Sequence, residues 1–100
     1  MTRQIIFYPE ARLEFEDAVL WHEEQQSGLG DRFAAQVEKT LQDILRDPNR
    51  FSLVGKTVRK ARVDVFHKYS VYFRVTPDFI GIVSIFHGSR NPAELRRRLK

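Results

Sequence analysis

The spacing of apolar positions changes along this chain, and each change marks a new element. Residues 4–8, QIIFY, form a short β-branched and aromatic run stopped by Pro9, which predicts a strand. Pro9 suits the first turn of a helix, and the acid-rich EARLEFED that follows complements the positive end of its dipole. In that helix Ala11, Phe15, Ala18 and His22 recur at steps of 4, 3 and 4, a buried face flanked by Val19 and Trp21. Leu13 and Leu20 stand seven apart on the opposite side, which predicts a helix touching two neighbours. SGLG at 27–30 is a break, with Gly28 suited to a helix C-terminal cap. A second helix over about 29–46 places Phe33, Val37, Leu41 and Ile44 on one stripe, and Pro48 ends it. A short Gly break between two amphipathic helices predicts an antiparallel hairpin.

Beyond Gly55 the period falls from 3.6 to 2. Residues 58–66 alternate Ala61, Val63 and Val65 against Lys60, Arg62 and Asp64. Residues 69–75 alternate Tyr69, Val71, Phe73 and Val75 against Ser70, Tyr72 and Arg74. TPDF is a turn, and FIGIVSIFH at 79–87 is apolar on both faces, as an interior strand would be. Asn91-Pro92 then opens a short terminal helix. If Val63 and Val65 share the core face with Val71 and Phe73, a three-residue loop pairs 65 with 71. That register sets Arg62 opposite Arg74, a repulsive pair unless an anion sits between them or both side chains splay into water.

The order predicts an α+β domain over 1–100: a small antiparallel sheet packed on an N-terminal two-helix hairpin, with a short C-terminal helix. There is no cysteine, which excludes disulfides and thiolate metal sites and is compatible with a reducing cytoplasm. The start of the chain lacks a signal peptide's apolar region, and no apolar run approaches the roughly 18 residues of a membrane span. Charge is uneven. Residues 1–50 carry six Lys/Arg against ten Asp/Glu, and residues 51–100 carry eleven against three. The second half therefore predicts a basic surface suited to nucleic acid or to an acidic protein segment.

His22, His67 and His87 lack metal-ligand spacing, His22 belongs to the core face, and no phosphate loop or nucleophile elbow is present. Neither a metal nor a cofactor is expected. The acids of the first helix read as a solvated face. Arg59, Lys60, Arg62 and Arg74 on the hairpin, with His87 and Arg90 after the last strand, could bind a phosphodiester and move a proton. Arg96, Arg97 and Arg98 of the terminal helix are expected to join them.

Three stretches, AVLWHEEQQSGLGDRFAAQVEKTL, VRKARVDVFHKYSVYFRV and IVSIFHGSRNPAELRRR, resemble the RelE/ParE superfamily of bacterial type II toxins, the plasmid-stabilisation family. The resemblance spans nearly the whole chain and rests on Trp21-His22-Glu23, on GLGDRF, and on the H-G-x-R-x-P pattern at 87–92. FHKY at 66–69 replaces the usual FPY before the third strand. The resemblance implies a cognate antitoxin, bound as a hetero-oligomer, and one of two targets. RelE-like members cut mRNA on the ribosome, and for that chemistry Arg62, Arg90 and His87 would be catalytic, since no tyrosine follows Tyr72. ParE-like members act on DNA gyrase and need no catalytic set. The HGSRNP form is closer to ParE and points to gyrase; an inactive basic module is the third reading. In the binding readings Arg59, Lys60, Arg62, Arg74, Arg90 and Arg96–Arg98 face target or antitoxin.

Overall fold

The run Phe79–His87, apolar on both faces, lies inside the sheet, as its composition requires. In the computed structural model, which describes residues 3–99, the elements are β1 (Gln4–Phe7), α1 (Pro9–Gln25), α2 (Leu29–Arg46), β2 (Val58–Arg62), β3 (Tyr69–Val75), β4 (Phe79–His87) and α3 (Pro92–Arg98), with a 3-10 turn at Pro48–Arg50. Sheet order is β1-β4-β3-β2. The sheet is mixed, not wholly antiparallel: β1 runs parallel to β4, Gln4 level with Phe79 and Phe7 with Ile82. A four-residue strand does not encode its neighbour's direction, and β1 fills the space β4 leaves beside the helix hairpin.

Both sheet faces are covered. On one, Phe33, Val37 and Ile44 of α2 with Ala11 and Ala18 of α1 pack on Val71, Phe73, Ile80, Ile82 and Ile85. On the other, Leu95 of α3 packs with Val58, Tyr72, Val83 and Phe86. The predicted stripe of α2 is buried throughout, and on α1 Ala11, Ala18 and His22 are buried as expected. α1 packs on α2 and β4, but among the described residues nothing covers the side that carries Leu13 and Leu20. Leu13 and Leu20 are exposed, and Trp21, expected to flank the core, is 55% exposed.

Gly28 adopts the left-handed conformation, φ +89°, as the residue before α2 and not as the cap of α1. Glu23 caps α2 instead, accepting the Gly28 and Gly30 amides at 2.9 and 3.0 Å. Gly30 is required there, because a Cβ would stand 2.7 Å from the Val19 carbonyl oxygen of α1.

Two local deviations set the geometry of the rest. β2 ends at Arg62, and Val65 leaves the core for a left-handed backbone, φ +69°, so that Phe66 turns inward in its place. The β2–β3 register consequently puts Arg62 opposite Ser70 and Arg74 opposite Val58. The expected Arg62–Arg74 pair is not formed; four residues of β3 separate their positions, roughly 14 Å of strand. The second deviation is a bulge at Val83, where Tyr72 pairs with Ser84 but Phe73 pairs with Ile82. It shifts the alternation, so Ile80, Ile82 and Ile85 all face the hairpin while Val83 and Phe86 face α3.

Candidate functional site

The bulge decides where His87 goes. Without the extra residue His87 would project toward α3; with it, the ring lies on the hairpin face, edge-on to Tyr69 with centroids 4.8 Å apart. Phe33 anchors the wall behind it, stacked on His22 at 4.5 Å and packed on Tyr69 at 4.8 Å and Phe66 at 5.1 Å. His22 Nδ1–H donates to the Ala18 carbonyl at 2.7 Å, which makes it a satisfied core side chain. Over this wall opens a cleft of about 680 Å³, bounded by Trp21, Val65, Phe66, Tyr69, His87 and Arg90, with His67 and Lys68 at its rim. Val65 is 62% exposed here. A β-branched residue at positive φ is strained, and such strain gathers at functional sites.

The predicted cations do not form one surface. Lys60 lies over the Tyr72 ring at 5.9 Å on the α3 face, and Lys60 and Arg62 line a shallow groove there with His67, Lys68 and Ser70. Arg59 projects to the other face, where its Nη1 donates to the Phe51 carbonyl at 2.6 Å and holds the segment after α2. Arg74 donates to Thr57 Oγ1 at 3.0 Å and to the Arg98 carbonyl at 3.4 Å, at the end of α3. Arg96 and Arg97 are exposed on α3.

Arg90 and Arg98 are neutralised within the chain. Arg98 Nη2 donates to Glu14 Oε2 at 2.7 Å and to Ser84 Oγ at 3.1 Å. Arg90 Nη1 donates to the same Glu14 oxygen at 2.8 Å, and its Nη2 to Glu94 at 3.1 Å. Glu14 Oε1 further accepts from Ser84 Oγ and from the Ile85 amide, at 2.8 and 3.2 Å. The Glu14 and Arg98 side chains are only 10% and 9% exposed. Glu14 is therefore no part of a solvated acidic face. A sequence signal existed: Glu14 lies three residues after Ala11 and four before Ala18, inside the apolar stripe of α1.

The chemistry of His87 follows from its neighbours. Its Nδ1 accepts the Ser89 amide at 3.0 Å, so the Ser89 hydroxyl, 2.7 Å away, donates to the same nitrogen. In the neutral ring the proton is then on Nε2. Burial, helped by Lys68 and His22, moves its pKa below the ordinary 6.5. The folded protein thus binds this proton less readily than the unfolded chain, so the contribution to stability falls as pH drops through 6.5. Urea midpoints of wild type and His87→Gln, compared at neutral and acid pH, are expected to show a smaller acid loss in the variant. Tyr69 and Tyr72 are shifted upward by burial, Arg90 partly opposing the shift at Tyr69; neither phenol is an ionised base at neutral pH.

The family described as the ParE toxin of the type II toxin-antitoxin system, parDE, matches residues 5–92. The chain belongs to the ParE toxin family. Two solved structures share its fold. One is the chromosomal ParDE toxin-antitoxin system from P. aeruginosa, with TM-score 0.70 and 15% identity over 86% of this chain and 96% of that one. The other is the YoeB dimer from Staphylococcus aureus, with TM-score 0.59 and 18% identity over 87% and 99%. No curated protein matches the chain in sequence. The two structures share the expected RelE/ParE architecture, and the matched family is described as the toxin of a toxin-antitoxin pair. Among the described residues no helix is long and apolar enough to cross a membrane.

Proposed function

We propose that this ParE-family protein inhibits growth by binding DNA gyrase, without chemistry of its own, and is neutralised by a cognate antitoxin. The observation that carries the reading is the separation of the candidate nuclease set. Arg62 projects into the groove on the α3 face, whereas His87 projects into the cleft on the hairpin face. A scissile phosphate held by Arg62 on the α3 face would lie off the face that carries His87; the two grooves meet only at the sheet's end, where both are lined by His67, Lys68 and Ser89. Arg90, the third member, is already paired with Glu14 and Glu94. His87 is also poorly placed to take a proton, because its bare nitrogen Nδ1 already accepts from the Ser89 amide and hydroxyl. Lys60, Arg62 and Lys68 remain as cations of one groove, fit to meet an acidic protein surface.

Incubating the purified protein with gyrase and plasmid is expected to stop supercoiling or to accumulate cleaved DNA, while mRNA on translating ribosomes stays intact. Codon-linked cuts in the mRNA with gyrase untouched would establish the RelE-like reading. The variant His87→Gln is expected to inhibit growth as wild type does. Loss of about 100-fold or more in potency, the scale of general acid–base catalysis, would show that His87 transfers a proton.

A further inference from the structure

Four arginines of the basic half are committed inside the molecule: Arg59 to the Phe51 carbonyl, Arg74 to Thr57, and Arg90 and Arg98 to Glu14. Lys60, Arg62 and Lys68 are different. Among the described residues none of the three makes an ion pair or a side-chain hydrogen bond, and Lys60 only lies over the Tyr72 ring. All three line the groove on the α3 face, and no carboxylate lines it with them. Asp64, the acid nearest in sequence, pairs with Lys39 of α2 at 3.2 Å instead.

These cations stand in a line. Lys60 and Arg62 are two residues apart on the same face of β2, a step of roughly 6.6 Å. Arg62 is level with Ser70 of β3, so Lys68, two residues before Ser70, continues the line one step beyond Arg62. At the other end α3 finishes against Gly55, just ahead of β2. Arg98 faces Glu14 and Ser84 of β4, and Arg96 lies roughly 160° around the helix from it, on the flank toward β2. Arg96 is exposed there and extends the line to four.

Carboxylates on a folded protein have no fixed interval, whereas successive phosphates of a nucleic acid strand recur at about the step of this line. We infer that the Lys60–Arg62–Lys68 groove binds the phosphate backbone of duplex DNA, positioning the protein without reading sequence. Two observations favour the duplex over a single strand. Tyr72 and Phe86, the aromatic floor of the groove, are only 8% and 5% exposed, so no ring is offered for a base to stack on. A line of cations also gains most from the denser polymer, and the duplex carries one charge per roughly 1.7 Å of axis. Such a contact would hold a gyrase inhibitor against the DNA that gyrase carries. It is a property of this face alone, and so goes beyond the gyrase reading.

The test is fluorescence anisotropy of a labelled DNA duplex of mixed sequence, titrated with the purified protein over a range of salt. Three to four phosphate contacts are expected to give a log–log slope of about −2.7 to −3.6, a loss of roughly 40- to 150-fold from about 50 to 200 mM. Arg62→Gln and Lys68→Gln, both at exposed positions, are each expected to make the slope shallower by about 0.9. Arg32→Gln, exposed on α2, is expected to leave it unchanged. No binding at about 50 mM salt overturns the inference. An equal loss from Arg32→Gln overturns it too, since net charge alone would then explain the binding. Tighter binding to the single strand than to the duplex overturns the assignment to duplex DNA. Displacement of the duplex by polyglutamate at equal charge concentration overturns it in favour of an acidic protein surface. Gyrase is absent from every arm, so none of these results bears on the gyrase reading, which the supercoiling assay decides.

Discussion

Glu14→Ala is expected to lower the stability of the protein by about 3–5 kcal/mol, the scale for breaking a buried ion pair from one side. The carboxylate holds Arg98 and Arg90 and accepts from Ser84 Oγ and the Ile85 amide. Its removal strands the Arg98 guanidinium, 9% exposed and already carrying an unpartnered Nε, between α1, β4 and α3. Arg90 loses less, since Glu94 remains beside it. Domains of this size are stable by about 5–15 kcal/mol, so the variant stands close to unfolding. Urea titration at neutral pH checks the figure through a fall in midpoint. Arg98→Ala is expected to cost less, because Glu14 retains Arg90, and the double variant less than the sum of the two singles. Equal midpoints for wild type and Glu14→Ala would mean that the pair contributes nothing net.

Phe33→Ala is expected to cost about 3–5 kcal/mol by opening a cavity at the centre of the helix-side core. The ring is fully buried and touches His22, Phe66 and Tyr69, so these cannot collapse into the space without giving up their own packing. The thermal midpoint should fall by roughly 15 °C or more. Phe33→Leu keeps most of the volume and should cost less than about 1.5 kcal/mol. The same ring backs the cleft, so Phe33→Ala is also expected to broaden the Tyr69 and His87 side-chain resonances in NMR spectra, and Phe33→Leu to do so less.

These two residues show what could be read from the sequence. Phe33 was legible: its place at the head of a 4, 4, 3 stripe predicts burial without knowledge of any partner. The stripe of α1 was legible in the same way, as were the change to period 2 and the two-faced apolarity of β4. Glu14 was misjudged, because a run of acids on a helix resembles a solvated face, and the arginine it binds lies 84 residues away. The same local grounds predict packing for Leu13, Leu20 and Trp21, yet all three stay more than half exposed among the described residues.

Local spacing reports which way a side chain points relative to its own element, and that much the sequence by itself determined: two amphipathic helices, a three-strand run with one interior strand, a short basic tail, and a family resemblance that the ParE match bears out. Which element meets which is a property of pairs distant in the chain. The parallel placement of β1, the four-residue shift between Arg62 and Arg74, and the tethering of Arg90 and Arg98 all depend on such pairs. The bulge at Val83 is the sharpest case. One extra residue in β4 reverses the alternation, and only the packing of β4 between β1 and β3, with Glu14 taking the Ile85 amide, determines that His87 faces the hairpin and Arg62 does not.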